Sequence, residues 1–105
     1  MNLTDFSMDY FSLKGKNAIV TGGNTGLGQV FSLALAKGGA NIMAVSIMDD
    51  EAETAQMVGD CGVEYTYNYA DITAEGECKR VVKDCVDTWG SIDILINCAG
   101  ISINI

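Results

Sequence analysis

Histidine and proline are absent from this 105-residue chain, and cations are scarce: 6 lysines and arginines stand against 14 aspartates and glutamates. Without histidine most zinc-site patterns are excluded, and the cysteines, Cys61, Cys78, Cys85 and Cys98, form no C-x-x-C pair, so no metal site is expected. A net charge of -8 leaves no basic patch to neutralise phosphates, which argues against a nucleic-acid partner. The same charge does nothing to attract anionic lipid and is read as a solubility feature. No apolar run is long enough to span a bilayer, and the N-terminus lacks the charged-then-apolar layout of a signal peptide. The expectation is a cytoplasmic protein with reduced thiols and no membrane partner.

What remains is apolar and finely punctuated by glycine. A hydrophobic content of 49% in a chain of one-domain size is ample for a core. Residues 1–16, with Phe6, Met8, Tyr10, Phe11 and Leu13 in no clean period, read as an arm turned into the domain by Gly15. Residues 17–105 read as one domain portion. Asn17 to Thr21 is short and β-branched, as a strand covered on both faces should be. Gly22, Gly23, Gly26 and Gly28 follow, and Leu27 to Lys37 then runs at helical spacing. Leu27, Val30, Phe31, Ala34 and Leu35 form its expected sheet-facing stripe, and Lys37-Gly38-Gly39 ends it. A glycine-rich turn opening a helix exposes unpaired N–H groups at the positive end of the helix dipole, a natural seat for a diphosphate. Such a turn alone often only closes a tight corner.

The rest of the chain repeats the alternation. Asn41 to Ile47 is a second strand, and Asp50 with Glu53 reads as a capping box for a helix to about Val58. Val63 to Tyr69 alternates as a third strand. Thr73 suits the N-cap of a helix over 74–89 that would bury Cys78, Val81, Val82, Cys85, Val86 and Trp89. Gly90 stops that helix, and Ile92 to Asn97 is a fourth strand. This β-α-β-α-β-α-β order demands a parallel sheet with right-handed crossovers. The fold class is therefore α/β, the N-terminal half of a Rossmann-type doubly wound sheet with strand order 3-2-1-4. Ligands in such sheets sit at the carboxyl ends of the strands where the order reverses. The glycine turn and Asn97-Cys98-Ala99-Gly100 both fall there.

With these pieces placed, the chain resembles the short-chain dehydrogenase/reductase family from about Leu13 to Ile101. Thr21-Gly22-Gly23-Asn24-Thr25-Gly26-Leu27-Gly28 is similar to its T-G-x-x-x-G-x-G cofactor turn, Asp71 to the aspartate after its third strand, and Asn97-Cys98-Ala99-Gly100 to its N-N-A-G signature with cysteine second. The resemblance implies roles. The N–H groups around Asn24, Thr25, Gly26 and Leu27 would hold a pyrophosphate, with Gly22 and Gly28 allowing close approach. Asp71 would accept from the adenine amino group beside the Ile72 backbone, although it could instead only cap at Thr73. Asn97, Ala99 and Gly100 would run from the adenine-side ribose towards the nicotinamide, although Asn97 could only tie strands together.

The choice between cofactors belongs to the end of the second strand, where an acidic residue suits the ribose of NAD and an arginine the extra phosphate of NADP. Ser46 and Ile47 are neither, and no cation lies nearby, so NAD is preferred and NADP is the alternative. Phe11-Ser-Leu-Lys-Gly-Lys and Asn24-Thr-Gly-Leu-Gly-Gln are most similar to sugar-acid dehydrogenases such as the gluconate and 2-deoxygluconate types, with 3-oxoacyl reductases close behind. The resemblance further implies a small-molecule substrate and a homo-oligomer, dimer or tetramer. The family's tyrosine, lysine, serine and asparagine lie after the fourth strand, so no catalytic residue is assigned here. The third-strand tyrosines have no lysine four positions on, and Tyr10 lies in the arm. The expectation is a cofactor-binding part of a longer oxidoreductase. The other reading is a non-catalytic nucleotide-binding or oligomer-modulating module.

Overall fold

The structure is a computed structural model that describes residues 12–50 and 52–98. Its element order is β1 (Asn17–Thr21), α1 (Gly26–Lys37), β2 (Asn41–Ser46), α2 (Glu53–Gly59), β3 (Tyr65–Tyr69), α3 (Glu77–Trp89) and β4 (Ile94–Asn97). The four strands make one sheet in the order β3-β2-β1-β4. All pairings are parallel, with Val20 opposite Ala44 on one side and Ile96 on the other. This is the expected doubly wound arrangement, with the reversal between β1 and β4.

The central strands are apolar because both of their faces are covered. One face carries Ala18, Val20 and Ile42 against Ala36 and Val58 of α1 and α2. The opposite face carries Ile19, Met43 and Val45 against Val81 and Cys85 of α3. The end of the arm is tied to this body, since the Leu13 N–H donates to the Gly38 carbonyl at 2.7 Å.

Several boundaries and faces differ from expectation. β3 starts at Tyr65 and β4 at Ile94, because pairing begins where Tyr65 meets Ile42 and Ile94 meets Ala18. β2 ends at Ser46, leaving Ile47 in the loop. The Asp50–Glu53 capping box does not form: Ala52 occupies the cap position with φ +68°, and Asp50 accepts from the Tyr65 hydroxyl instead. Thr73 does not cap α3, because Asp71 takes both its N–H and its hydroxyl, and the helix begins after Gly76.

The sheet-facing side of α1 is corrected more fully. Gly28, Ser32 and Ala36 are buried, while Leu27, Val30 and Phe31 are 44%, 61% and 38% exposed. The reason is proximity. A Cβ at Gly28 would lie 1.8 Å from the Gly22 carbonyl oxygen, and the buried Ser32 hydroxyl donates to the Gly23 carbonyl at 2.9 Å. Only small residues permit that approach, so Leu27, Val30 and Phe31 turn outward, while Leu35 packs against the core as expected. On α3, Val81 and Cys85 are buried as expected, but Cys78, Val82 and Val86 are exposed, as is Leu95 of β4. The described sheet is wide enough to cover only one side of that helix.

Candidate functional site

A cleft of about 650 Å³ opens across the carboxyl ends of all four strands. After β1 it is lined by Gly22, Thr25, Gly26, Leu27 and Gly28, and at the end of β2 by Val45, Ser46, Ile47 and Met48. Ala70, Asp71, Ile72 and Thr73 follow β3, and Cys98 follows β4. Nine of the residues singled out from the sequence therefore share one cavity. Asn24 borders a smaller adjoining cavity, and Asn97 does not line the cleft. Ala99 and Gly100 lie outside the described residues.

The glycine turn brings backbone close to the start of α1. Gly22 has φ +68°, a left-handed conformation that favours glycine, and its N–H donates to the Val45 carbonyl at 2.6 Å. Thr25 precedes α1 in extended conformation and makes no side-chain cap bond, and no acidic residue lies in the first turn. The first-turn N–H groups of α1 are thus left without a side-chain cap. Further back, Gln29 donates to the Thr54 hydroxyl at 3.0 Å, which ties the turn's helix to α2.

The β3 side supplies the one charged group of the cleft among the described residues. Asp71 Oδ1 accepts from the Thr73 N–H at 3.0 Å and from its hydroxyl at 2.6 Å, and these bonds hold the carboxyl below the ordinary aspartate value. It is ionised at neutral pH, and its second oxygen has no partner among the described residues. Asn97 acts as a tie: its Oδ1 accepts from the Thr21 hydroxyl at 2.8 Å, while the Cys98 N–H donates to Thr21 Oγ1 at 3.0 Å. That tie leaves Cys98, not Asn97, at the wall of the cleft. Val45, Met48, Ala70, Thr73 and Cys98 are the lining residues that sequence reading missed as contacts. Each adjoins a residue that was singled out, and adjacency was their only signal.

The chain contains one Tyr-x-x-x-Lys spacing, Tyr10 to Lys14. Tyr10 lies outside the described residues. Lys14 lies within about 3 Å of where a Gly39 Cβ would be, ahead of β2 and at the opposite end of the sheet from the cleft. Among the described residues no group of three or more metal-ligating side chains occurs, and no helix is long and apolar enough to cross a membrane.

The short chain dehydrogenase family model matches residues 16–105. This chain belongs to that family. An uncharacterised oxidoreductase of Escherichia coli is 53% identical over 100 residues, covering 95% of this chain and 38% of that protein. The 2-dehydro-3-deoxy-D-gluconate 5-dehydrogenase of the same organism is 38% identical over 91 residues, covering 87% of this chain and 36% of the relative. Among solved structures, a short-chain dehydrogenase from Mycobacterium paratuberculosis bound to NAD superposes with a TM-score of 0.78 at 27% identity, covering 87% of this chain and 39% of the other. The Pseudomonas aeruginosa RhlG/NADP active-site complex gives 0.78 at 32% identity, covering 90% and 38%. The chain spans less than two fifths of the length of these proteins.

Proposed function

We propose that this chain is the cofactor-binding part of a nicotinamide-dependent oxidoreductase acting on a small carbonyl or secondary alcohol. One observation carries the reading: the uncapped start of α1 opens into a cleft that touches the carboxyl end of every strand, at the reversal of strand order. The residues fit the group. Gly22, Thr25, Gly26 and Leu27 would hold the pyrophosphate, with Gly28 letting the helix close on the strand. Asp71 would accept from the adenine amino group beside Ile72, and Ser46 and Ile47 would meet the ribose. Asn97 would act by tying β4 to β1 under the path that Ala99 and Gly100 continue. The nicotinamide, when bound, takes or gives the hydride, and this chain's share is to bind and orient it.

NAD is the preferred partner in this reading. Among the described residues Asp71 is the only charged one lining the cleft, and no lysine or arginine is there to neutralise a 2′-phosphate. A sugar acid is the preferred substrate, supported by the gluconate-type relative and by the sequence around Asn24. A homo-oligomer in the cytoplasm, with residues 1–16 as an arm on the 17–105 portion, completes the proposal. Calorimetric titration of the whole protein tests it. NADH is expected to bind roughly tenfold tighter than NADPH, and Asp71→Ala to weaken NADH by about tenfold, the worth of one charge-assisted hydrogen bond. A folded protein that binds neither dinucleotide would sink the reading.

A further inference from the structure

Three side chains from two directions converge on residues 46–50, the loop that leaves β2. From strand β3, the Tyr67 hydroxyl lies within hydrogen-bond reach of the Met48 carbonyl and 3.2 Å from the Ser46 carbonyl, and can donate to either. Two residues earlier on the same face of that strand, the Tyr65 hydroxyl donates to Asp50 Oδ1 at 3.4 Å. From the glycine turn, the Asn24 side-chain amide donates to the Met48 carbonyl at 3.3 Å and to the Asp49 carbonyl at 3.5 Å. Within the loop, the Met48 N–H donates to Ser46 Oγ at 2.9 Å.

The loop's carbonyls are thereby drawn towards tyrosine and asparagine. Ile47 and Met48 line the cleft, and Asp49 lines the small cavity that shares Thr25 and Met48 with it. Glu53 borders the same small cavity. Without these anchors the loop would be a short exposed segment after a strand, free to swing its two aspartates away from the ligand. An exposed carboxylate repels a phosphate usefully only if it stays near, because solvent and salt screen it quickly with distance.

We infer that Tyr67 is a positioning residue for cofactor choice: its hydroxyl holds the 46–50 loop so that Asp49, in the small cavity adjoining the cleft, stays near the adenosine end and excludes a 2′-phosphate. The inference rests on the dinucleotide reading above and adds to it a residue in β3 that does not line the cleft. Burial and the charges of Asp49 and Asp50 push the Tyr67 phenol above its ordinary value, so it remains a proton donor throughout the neutral range.

The test is calorimetric titration of NADH and NADPH into the whole protein and its Tyr67→Phe and Tyr69→Phe variants. Tyr69 lies on the same strand, exposed, and its hydroxyl is not among those that hold the loop. The wild-type protein should prefer NADH. Tyr67→Phe should cut the NADH-to-NADPH preference by about fivefold or more, and Tyr69→Phe should leave it within about twofold. A merely structural tyrosine would lower the melting temperature without moving that ratio. A folded Tyr67→Phe protein with the wild-type ratio would overturn the inference and leave the dinucleotide reading standing. A wild-type preference for NADPH would overturn it as well. A folded wild-type protein that binds neither dinucleotide would overturn both. Should Tyr67→Phe fail to fold, Tyr65→Phe releases Asp50 at the far end of the loop, and an unchanged ratio there would likewise overturn the inference.

Discussion

A Cβ on Gly28 would sit 1.8 Å from the Gly22 carbonyl oxygen, closer than any side chain tolerates against backbone. Gly28→Ala therefore has to push α1 off β1. A loss of about 1–3 kcal/mol in urea unfolding is expected, the usual cost of overpacking, together with weakened NADH binding. Ser32→Ala makes a milder demonstration: it removes the donor to the Gly23 carbonyl, and about 1 kcal/mol should be lost. Asp71 gives a test in pH. Its folded-state pKa is depressed by the two bonds from Thr73, so its stabilising contribution is present above the unfolded value and is lost as pH falls through the folded one. No change is expected around neutrality. Thr73→Val should raise the Asp71 carboxyl towards its ordinary value in an NMR titration, and an unmoved titration would refute the assignment.

The helices show how a period can be read correctly and still be assigned to the wrong side. Leu27, Val30 and Phe31 do lie on one face of α1, but that face is not the one on the sheet. Contact is made by Gly28, Ser32 and Ala36, whose small size lets the helix axis come near. Hydrophobic spacing reports which residues avoid water, whereas closeness of approach is set by volume. Phe31→Ala should accordingly cost this chain well below the roughly 3–5 kcal/mol of a buried phenylalanine. Val81→Ala on α3 should cost about 2 kcal/mol, because Val81 is enclosed with Ile19 and Met43. Chemical denaturation of the two variants side by side checks the ordering, and equal losses would contradict the burial pattern.

Across the molecule, apolar surface is exposed at the α1 stripe, at Val82 and Val86 of α3, and at Leu95, which is 61% exposed on edge strand β4. The relatives are more than twice as long, and in them further chain is available to such faces. A polypeptide of these 105 residues made by itself is expected to bind a hydrophobic dye and to self-associate in light scattering. Leu95→Lys should reduce both signals, since a charge on an edge strand blocks edge pairing. A monodisperse, dye-silent product would show instead that these faces are covered within the chain.

The order of elements, the parallel sheet and the meeting of the glycine turn with the segment after β4 were determined by sequence alone. Strand length, helix period and glycine placement are local properties, and right-handed crossovers leave one topology for that order. Gly22, Gly26, Gly28 and Asp71 were legible for the same reason, standing where local pattern meets the ends of strands. The tertiary structure decided the rest. It showed that Asp50 serves Tyr65 and not α2, that Asn97 ties β1 to β4 while Cys98 lines the cleft, and that Tyr67 reaches the loop after β2. Each of these depends on which atoms of distant segments are brought within about 3 Å, and hydrogen-bond geometry is too short-ranged to be written in spacing along the chain.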